Sequence, residues 1–297
     1  MSKGYRYLDP TTLASVKNLS LVARGVVEGA ITGLHASPYK GFSVEFAEHR
    51  EYVSGDDPRH LDHTMLARTD RLYIRQYEEE TNMRVRILLD ASGSMNYAHA
   101  GRLTKFEYGA HLTATLAYLM TRQQDAVGLT VFDDDIRLEM PTRSSPTHFH
   151  EMMERLETIR PGSETRIAEI LHRCADQFKK RNLIVLISDL YDDPDDVLRS
   201  LFHFRYRKHE LILFHILDRA ELEFPFEDST AFFDLETGDR LRVDPAAVRS
   251  GYLEAMSEFL GRYKSGCAEQ NIDYVAVDTT IPYDFMLSRY LNRRSSL

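Results

Sequence analysis

The feature that most constrains this chain is an alternation, from residue 85 onward, of short apolar runs with longer segments of helical periodicity. Such alternation is typical of repeated strand–helix–strand units, which build a mainly parallel sheet. Several runs are apolar throughout, as expected for central strands that helices cover on both faces. Residues 81–297 are therefore predicted to form one α/β domain. The predicted strands are residues 85–90, 127–132, 136–140, 183–188, 210–217 and 274–277.

The intervening segments carry clear helix signals. Thr104 and Glu107 have the spacing of a capping box, which predicts a helix over residues 105–122. Residues 166–178 place Cys174 on an apolar helical stripe, so we expect a buried small hydrophobic residue there rather than a reactive thiol. Further helices are predicted from residue 194 and over 246–267, and a β-hairpin over 231–243.

The first 80 residues follow a different pattern. A helix is predicted after Asp9 and Pro10, followed by a stretch punctuated by glycine and then by a charged block, residues 52–81. No repeat or linker separates this part from the sheet. Residues 1–80 are therefore predicted to form an N-terminal subdomain packed on the sheet. The charges within residues 55–71 are interpreted as a network that ties this segment down rather than as an active site.

Composition excludes several classes of protein. The formal net charge of −9 and a sequence pI near 5.8 argue against a nucleic-acid partner, which requires a basic face. Two cysteines are too few for a disulfide framework, and neither has a zinc-ligand spacing. The first residues lack the apolar core of a signal peptide, and no apolar stretch is long enough to span a membrane. We therefore expect a cytoplasmic protein without a membrane span.

The residues that suggest chemistry follow the first strong strand. Asp90, Ser92 and Ser94 stand in the order D-x-S-x-S, which places one carboxylate and two hydroxyls on one tight loop. Hard oxygen ligands of this kind suit Mg²⁺ or Mn²⁺ rather than zinc or copper. Open α/β sheets bind ligands beyond the carboxyl ends of their strands, which is where Asp90 is predicted to lie. Alone, the pattern is also compatible with an ordinary strand-end turn, which Asp and Ser favour.

Two other loops are predicted to reach the same crevice. Thr165 lies in a G-x-x-T loop that opens a predicted helix, and Asp189 follows the strand LIVLIS. The predicted metal site therefore comprises Asp90, Ser92, Ser94, Thr165 and Asp189. Because only two of these ligands are anionic, one bound divalent ion keeps a position for water or for an incoming carboxylate.

These motifs resemble those of a known family. D-x-S-x-S, the Thr of the G-x-x-T loop and the Asp of I-S-D resemble the metal-ion-dependent adhesion site of von Willebrand factor A domains. The upstream block, residues 52–81, resembles the signature of bacterial domain-of-unknown-function family 58, whose members carry such a domain. The family typically has Trp after the Leu-Asp pair of this block, whereas this chain has His63. That departure leaves the five ligand positions unchanged.

The resemblance implies a fold and a function. The fold is a six-stranded, mostly parallel sheet with helices on both faces and one antiparallel edge strand, for which residues 136–140 are the candidate. The function is that of a non-enzymatic binding module, often encoded beside a MoxR-type AAA+ ATPase, in which a carboxylate of a protein partner completes the coordination of one Mg²⁺ or Mn²⁺ ion.

Other charged groups have plainer interpretations. The acidic residues after Asp189 are assigned to the start of a helix, where Asp193 is the predicted cap and Pro194 the first residue. His148 and His150 are assigned to a polar loop without metal partners at ligand spacing. Residues 133–135 are predicted to form a solvated hairpin turn.

Two alternative functions remain open. A Mg²⁺-dependent phosphohydrolase of the haloacid dehalogenase type would use Asp90 as its nucleophile, but it requires D-x-D, and this chain has Ser92 at the second acidic position. The motifs of serine hydrolases, nucleotide-binding loops and zinc proteases are missing from the sequence. The second alternative is a metal-free scaffold whose contacts come from the N-terminal block.

Overall fold

The chain divides into two compact units, Ala30–Asn82 and Met1–Gly29 with Met83–Leu297. The smaller unit contains an antiparallel strand pair, β1 (Val44–Glu51) and β2 (Tyr73–Glu79), which the sequence pattern does not predict. The predicted domain boundary at residue 80 stays a prediction. The computed structural model describes residues 5–8, 44–52, 65, 68, 71–79, 83–99, 103–162, 166–227, 230–233, 235 and 240–295.

The larger unit is built on a central sheet. Its strands and those of a separate hairpin are β3 (Arg84–Asp90), β4 (Ala126–Phe132), β5 (Ile136–Arg143), β6 (Leu183–Ser188), β7 (Glu210–Leu217), β8 (Thr230–Phe233), β9 (Arg240–Val243) and β10 (Asp273–Asp278). The sheet has six strands in the order β10-β7-β6-β3-β4-β5, and only the pair of β4 with the edge strand β5 is antiparallel. This architecture confirms the predicted fold class, although β5 continues past its predicted end at Met140.

Helices cover both faces of the sheet. On one face, helices α3, α4 and α6 pack into one buried core that includes Leu88 and Leu186 of the sheet and Tyr263 of α6. Helices α2 and α7 contact α1. Cys174 of α3 is fully buried, as predicted, and burial raises the pKa of its thiol to about 12. The helices are α1 (Lys105–Arg122), α2 (Pro146–Thr158), α3 (Ile167–Gln177), α4 (Pro194–Tyr206), α5 (Arg219–Glu223), α6 (Pro245–Glu269) and α7 (Tyr283–Ser295).

Helix α1 lies close against the middle of the sheet. A Cβ atom at Gly109 would lie 3.0 Å from both Ile187 Cγ2 and Leu89 Cδ1, so glycine permits the close approach of the helix to β3 and β6. The helix begins with the predicted capping box: Thr104 Oγ1 accepts the Glu107 N–H at 3.1 Å, and Glu107 Oε2 accepts the Thr104 N–H at 3.2 Å.

One local prediction is wrong, and another is confirmed. His148 and His150 belong to helix α2 rather than to a polar loop, and the buried ring of His148 donates through Nε2 to the Val127 carbonyl at 3.2 Å. Residues 133–135 form the predicted hairpin turn between the antiparallel strands β4 and β5, and Asp134 and Asp135 are exposed. Asp133 is only 2% exposed and accepts a hydrogen bond from Arg137 Nη1 at 3.1 Å. His148 finds its partner on a neighbouring strand 21 residues away in the chain, which local sequence does not reveal.

Some predictions lie outside the described residues. The helix expected after Pro10 is one, and most of the charged network expected within residues 55–71 is another. Among the helices of the described ranges, none combines the length and apolar character needed to cross a membrane.

Candidate metal centre

The candidate centre lies where the order of the sheet reverses. Strands β3 and β6 are parallel neighbours, and from them the chain builds β4 and β5 on one side and β7 and β10 on the other. Open α/β sheets bind ligands beyond the carboxyl ends of their strands at such a reversal. Asp90 is the last residue of β3, and Asp189 directly follows the last residue of β6. Both carboxylates therefore emerge at this point.

The Asp90 carboxylate is fully buried and held by neutral donors. Its Oδ1 accepts the Ser92 N–H at 2.8 Å, and its Oδ2 accepts the Ser188 hydroxyl at 2.6 Å. Burial, and next the charge of Asp189, raise the pKa of Asp90 to about 7, although the bonds from Ser188 and Ser92 act in the opposite direction. A positive charge placed between the two carboxylates would reduce their repulsion and stabilise the ionised form of Asp90.

The two serine hydroxyls lie beside each other on the loop after β3. Ser92 Oγ and Ser94 Oγ are 3.1 Å apart; Ser92 is fully buried, and Ser94 is partly exposed. Ser94 opens a short 3₁₀ helix, Ser94–Asn96, in which the Met95 N–H bonds to the Ser92 carbonyl at 3.2 Å. The turn therefore brings together the buried carboxylate of Asp90, the buried hydroxyl of Ser92 and the partly exposed hydroxyl of Ser94.

Asp189 differs from Asp90 in having a charged partner. Lys105 Nζ lies 2.7 Å from Asp189 Oδ2 and 2.6 Å from Glu221 Oε1, and the side chains of Lys105 and Asp189 are fully buried. Burial alone lowers the pKa of Lys105, but Asp189 and Glu221 outweigh it and raise the pKa overall. The lysine is therefore a buried ammonium that neutralises part of the negative charge at the centre.

Lys105 belongs to none of the sequence motifs of the site, but its position in the chain carries a signal. Lys105 is the first residue of α1, where the positive end of the helix dipole disfavours a cation. Such a local conflict indicates a compensating tertiary contact. Here the contacts are the two carboxylates and the face of the Tyr191 ring, whose centroid is 4.7 Å from Nζ.

Glu221 is held in place by the cap of α5. Its Oε2 accepts the Asp218 N–H at 2.7 Å, while Asp218 Oδ1 accepts the Ala220 N–H at 2.8 Å. In a capping box one carboxylate oxygen of the third residue is used, which leaves the other oxygen free to bind elsewhere. In Glu221 that second oxygen, Oε1, binds Lys105.

The backbone around Asp189 is strained and firmly supported. Leu190 is fully buried and has a φ angle of 58°, in the left-handed region that bulky residues rarely adopt. Its N–H donates to Ser188 Oγ at 2.9 Å, and its carbonyl accepts the Tyr263 hydroxyl at 3.1 Å. His215 donates through Nε2 to the Asp189 carbonyl at 2.8 Å, and burial lowers its pKa to about 4, so it stays neutral. Strain of this kind is typical of functional sites.

Thr165 lies outside the described residues, so its predicted role stays a prediction. The start of its loop is described: the Gly162 N–H donates to the Ala91 carbonyl at 3.2 Å. Gly162 therefore lies against the loop that carries Asp90 and Ser92.

The acidic residues after Asp189 act as the sequence predicts. Asp193 Oδ1 accepts the N–H groups of Asp195 at 2.9 Å and Asp196 at 3.2 Å, which caps α4. Asp192 Oδ2 accepts the Ala168 N–H of α3 at 3.2 Å. These two carboxylates are therefore committed to helix ends, which leaves Asp189 as the acid directed at the centre.

The donors present fit a hard divalent cation. Two carboxylates and two hydroxyls supply oxygen alone, the ligand type that Mg²⁺ and Mn²⁺ prefer. Over the ranges the structure describes, no cluster of three or more His, Cys, Asp or Glu side chains with a geometry for metal binding is found. An ion at this centre would accordingly depend on the hydroxyls as well as on Asp90 and Asp189.

Known proteins resemble this chain in sequence and in structure. Uncharacterized proteins of Mycobacterium bovis and Mycobacterium tuberculosis are 25% identical to it over 243 residues, which cover 80% of this chain and 76% of each relative. The crystal structure of the conserved hypothetical protein BatB from Bacteroides thetaiotaomicron is similar with a TM-score of 0.49 and 18% identity, over 72% of this chain and all (100%) of that one. That of the SpRpn10 VWA domain is similar with a TM-score of 0.42 and 10% identity, over 70% of this chain and 95% of that one.

The family is established by sequence. Residues 48–259 match the family described as "Protein of unknown function DUF58". This match covers more than half of the chain and includes the loops that carry Asp90 and Asp189. The chain therefore belongs to the DUF58 family of proteins of unknown function.

Proposed function

We propose that this protein is a non-enzymatic binding module that holds one divalent ion, Mg²⁺ or Mn²⁺, and uses it to bind a carboxylate of a protein partner. The observation that carries the proposal is the meeting of two buried carboxylates, Asp90 and Asp189, at the carboxyl ends of neighbouring strands, beside the paired hydroxyls of Ser92 and Ser94. Burying two carboxylates next to each other is costly unless a cation compensates them.

In this proposal the chain's own residues hold the site rigid before a partner arrives. Ser188 and the Ser92 N–H fix the Asp90 carboxylate, and Lys105 and His215 fix Asp189 through its side chain and its backbone. Asp90, Ser92, Ser94, Thr165 and Asp189 would hold the ion, which supplies a positive centre for a Glu or Asp of the partner. Because Ser94 is partly exposed, the open side of the site faces the partner.

The same residues favour binding over catalysis. A hydrolase that forms an aspartyl phosphate needs a second acid two residues after its nucleophile, and Ser92 occupies that position. The Ser92 hydroxyl is instead paired with Ser94 at 3.1 Å. If the hydrolase alternative were right, the purified chain would hydrolyse a generic aryl phosphate in Mg²⁺, and Asp90→Asn would abolish that activity.

The proposed partner is a MoxR-type AAA+ ATPase, and the proposed compartment is the cytoplasm. The partner comes from the family resemblance, whereas the compartment comes from the low cysteine content of the sequence and the lack of an apolar stretch long enough to span a membrane. Co-purification of the tagged chain with the ATPase, with and without EDTA, tests the partnership. Failure to recover the ATPase would contradict this partner but not the proposed metal site.

The decisive experiment is calorimetric titration of Mg²⁺ and of Mn²⁺ into the wild-type chain and its variants. Asp90→Ala and Thr165→Ala are expected to weaken binding by at least about 100-fold, because each removes a predicted ligand. Asp193→Ala is the matched control, since it removes a nearby carboxylate that caps α4. Circular dichroism checks that each variant is folded. Wild-type affinity in Asp90→Ala would contradict the site.

A further inference from the structure

An aromatic cleft lies beside the candidate metal centre. It occupies about 770 Å³ between the hairpin of β8 and β9, helix α5 and the start of α6. This volume is in the range of preformed ligand pockets and exceeds what one side chain fills. Its apolar walls include Tyr97, Phe224, Phe232, Leu241, Val248 and Tyr252.

The cleft continues to the metal centre. A second cavity of about 570 Å³ shares Tyr97, Tyr191 and Phe232 with the first and is also lined by Ser94. Ser94 is the partly exposed hydroxyl of D-x-S-x-S. A ligand bound at the open side of the centre would therefore enter the aromatic cleft directly.

The walls of the cleft are preorganised. The Phe224 ring centroid lies 4.6 Å from that of Tyr252 and 5.7 Å from that of Phe232, and the Phe226 centroid lies 5.0 Å from that of Phe232. Phe224 also has a φ angle of 48°, a left-handed conformation unusual for an aromatic residue. This conformation ends helix α5, with the Phe224 N–H bonded to the Ala220 carbonyl, and fixes the Phe224 ring within the cluster.

Exposed apolar side chains concentrate at the same place. Among the described residues, four of the eight exposed large hydrophobic side chains line the two cavities: Phe233, Leu235, Leu241 and Val248. Contiguous exposed apolar surface of this kind marks sites of protein interaction.

The described lining of the cleft carries little charge. Among the described lining residues Glu221 is the only carboxylate, and Lys105 compensates it at 2.6 Å. At the rim, the Arg240 guanidinium carbon lies 4.5 Å from the centre of the Phe233 ring. The described walls of the cleft are therefore apolar with one ion-paired carboxylate, and a guanidinium lies beside them, so the cleft can accept an apolar segment that carries negative charge.

We propose that this cleft binds a segment of the partner protein in which a Glu or Asp lies within a few residues of aromatic or large aliphatic side chains. The acid reaches the metal centre beside Ser94, and the apolar side chains fill the cleft. The inference rests on the proposed function for the placement of the acid. It adds the composition of the partner's segment and a second anchor, independent of the ion.

The test is a selection of random twelve-residue peptides displayed on phage, carried out on the purified chain in Mg²⁺. Synthetic peptides of the enriched sequences are then titrated against wild type, Leu241→Glu and Val248→Glu. Both positions are exposed, at 64% and 38%, so these variants are expected to fold. Phe202→Glu is the matched control, because Phe202 is 55% exposed on α4 and does not line the cleft.

The expected peptides combine an acid with nearby aromatic or large aliphatic residues. Their affinity should fall about tenfold or more in Leu241→Glu and Val248→Glu, and remain unchanged in Phe202→Glu. Replacing the acid by its amide and adding EDTA should each weaken binding in the same way. A selection that yields no peptide dependent on Leu241 and Val248, or only peptides without an acid, would overturn the proposal.

Two further measurements separate the possible failures. In Mn²⁺ titration, Leu241→Glu should bind the ion with wild-type affinity. If the wild-type chain binds metal but no selected peptide depends on the cleft, this inference is wrong and the proposed function is unaffected. If the chain binds no metal and EDTA does not change its affinity for cleft-dependent peptides, the proposed function is wrong. Self-association in analytical ultracentrifugation that Leu241→Glu abolishes would assign the cleft to a second copy of the chain, and so overturn the proposal.

Discussion

The two ends of the central sheet bury polar groups in different ways. At the carboxyl end, Asp90, Asp189 and Lys105 are fully buried, and Asp189 is charge-paired with Lys105. At the amino end, His209 is neutral and fully bonded: its Nδ1 accepts the Asn182 N–H at 3.0 Å, and its Nε2 donates to the Phe178 carbonyl at 3.1 Å. Both ends bury polar side chains, but the charged side chains of the described residues that are fully buried lie at the carboxyl end, whereas Asp125 at the amino end is 8% exposed and accepts the Met83 N–H at 3.0 Å.

This difference separates stability from function. A buried neutral group with both of its hydrogen bonds made contributes modestly to folding. Buried charges cost desolvation energy even when paired, so a set of them is poor evidence for stability alone. Their presence where the order of the sheet reverses fits a ligand site, and the bonds of His209 fit a link between α3, β6 and β7. Three substitutions test this comparison.

The largest expected effect is that of Lys105→Met. Loss of the ammonium leaves Asp189 and Glu221 buried without their cation, so the free energy of unfolding should fall by about 3–5 kcal/mol. Urea denaturation followed by circular dichroism measures the change.

The double variant Lys105→Met with Glu221→Gln is the control, because it removes one buried charge of each sign. It should recover part of the lost stability. A Lys105→Met variant as stable as wild type would show that Lys105 does not compensate the two carboxylates, and the contrast between the ends of the sheet would fail.

An intermediate effect is expected at the amino end, as a dependence on pH. Burial chiefly, together with the cations Arg207 and Arg86, lowers the pKa of His209 below its ordinary value of 6.5, although the hydrogen bond from its Nε2 to the Phe178 carbonyl opposes this. As the pH falls below about 6.5, His209 becomes protonated in the unfolded chain but stays neutral in the folded chain. The free energy of unfolding therefore decreases as the pH falls. The loss approaches about 1.4 kcal/mol for each unit by which the pKa is lowered.

His209→Gln keeps an acceptor and a donor without titrating. Urea denaturation of both proteins at several pH values from 8 down to 5 should show a smaller loss of stability in the variant. Equal losses in the two proteins would mean that the acid sensitivity of the chain arises elsewhere.

The smallest effect is expected for Asp193→Ala. Loss of the cap of α4 should reduce the free energy of unfolding by about 1 kcal/mol, because the N–H groups of Asp195 and Asp196 lose their acceptor. Thermal unfolding measures this change. Affinity for Mn²⁺ should be unaffected, and a loss of metal binding would bring the acidic cluster into the site.

The sequence predicts those features of the fold that depend on residues close together in the chain. Continuous apolar runs predict the sheet strands, and the Thr104–Glu107 pair and Asp193 predict the starts of α1 and α4, because these signals depend on neighbours within a few residues. Helix α2 and the pair of β1 with β2 escape prediction, since His148 finds its partner on another element and the strands of the pair are far apart in the chain.

For the candidate centre, the sequence alone determined which oxygen groups follow the strands β3 and β6, since each is adjacent in the chain to an apolar run that must be buried. Only the tertiary structure decided that these ends are neighbours, that Lys105 reaches Asp189 and Glu221, and that an aromatic cleft adjoins Ser94. The physical reason is that an ion pair or a cavity depends on groups brought together from distant parts of the chain, and a local pattern does not show which groups meet.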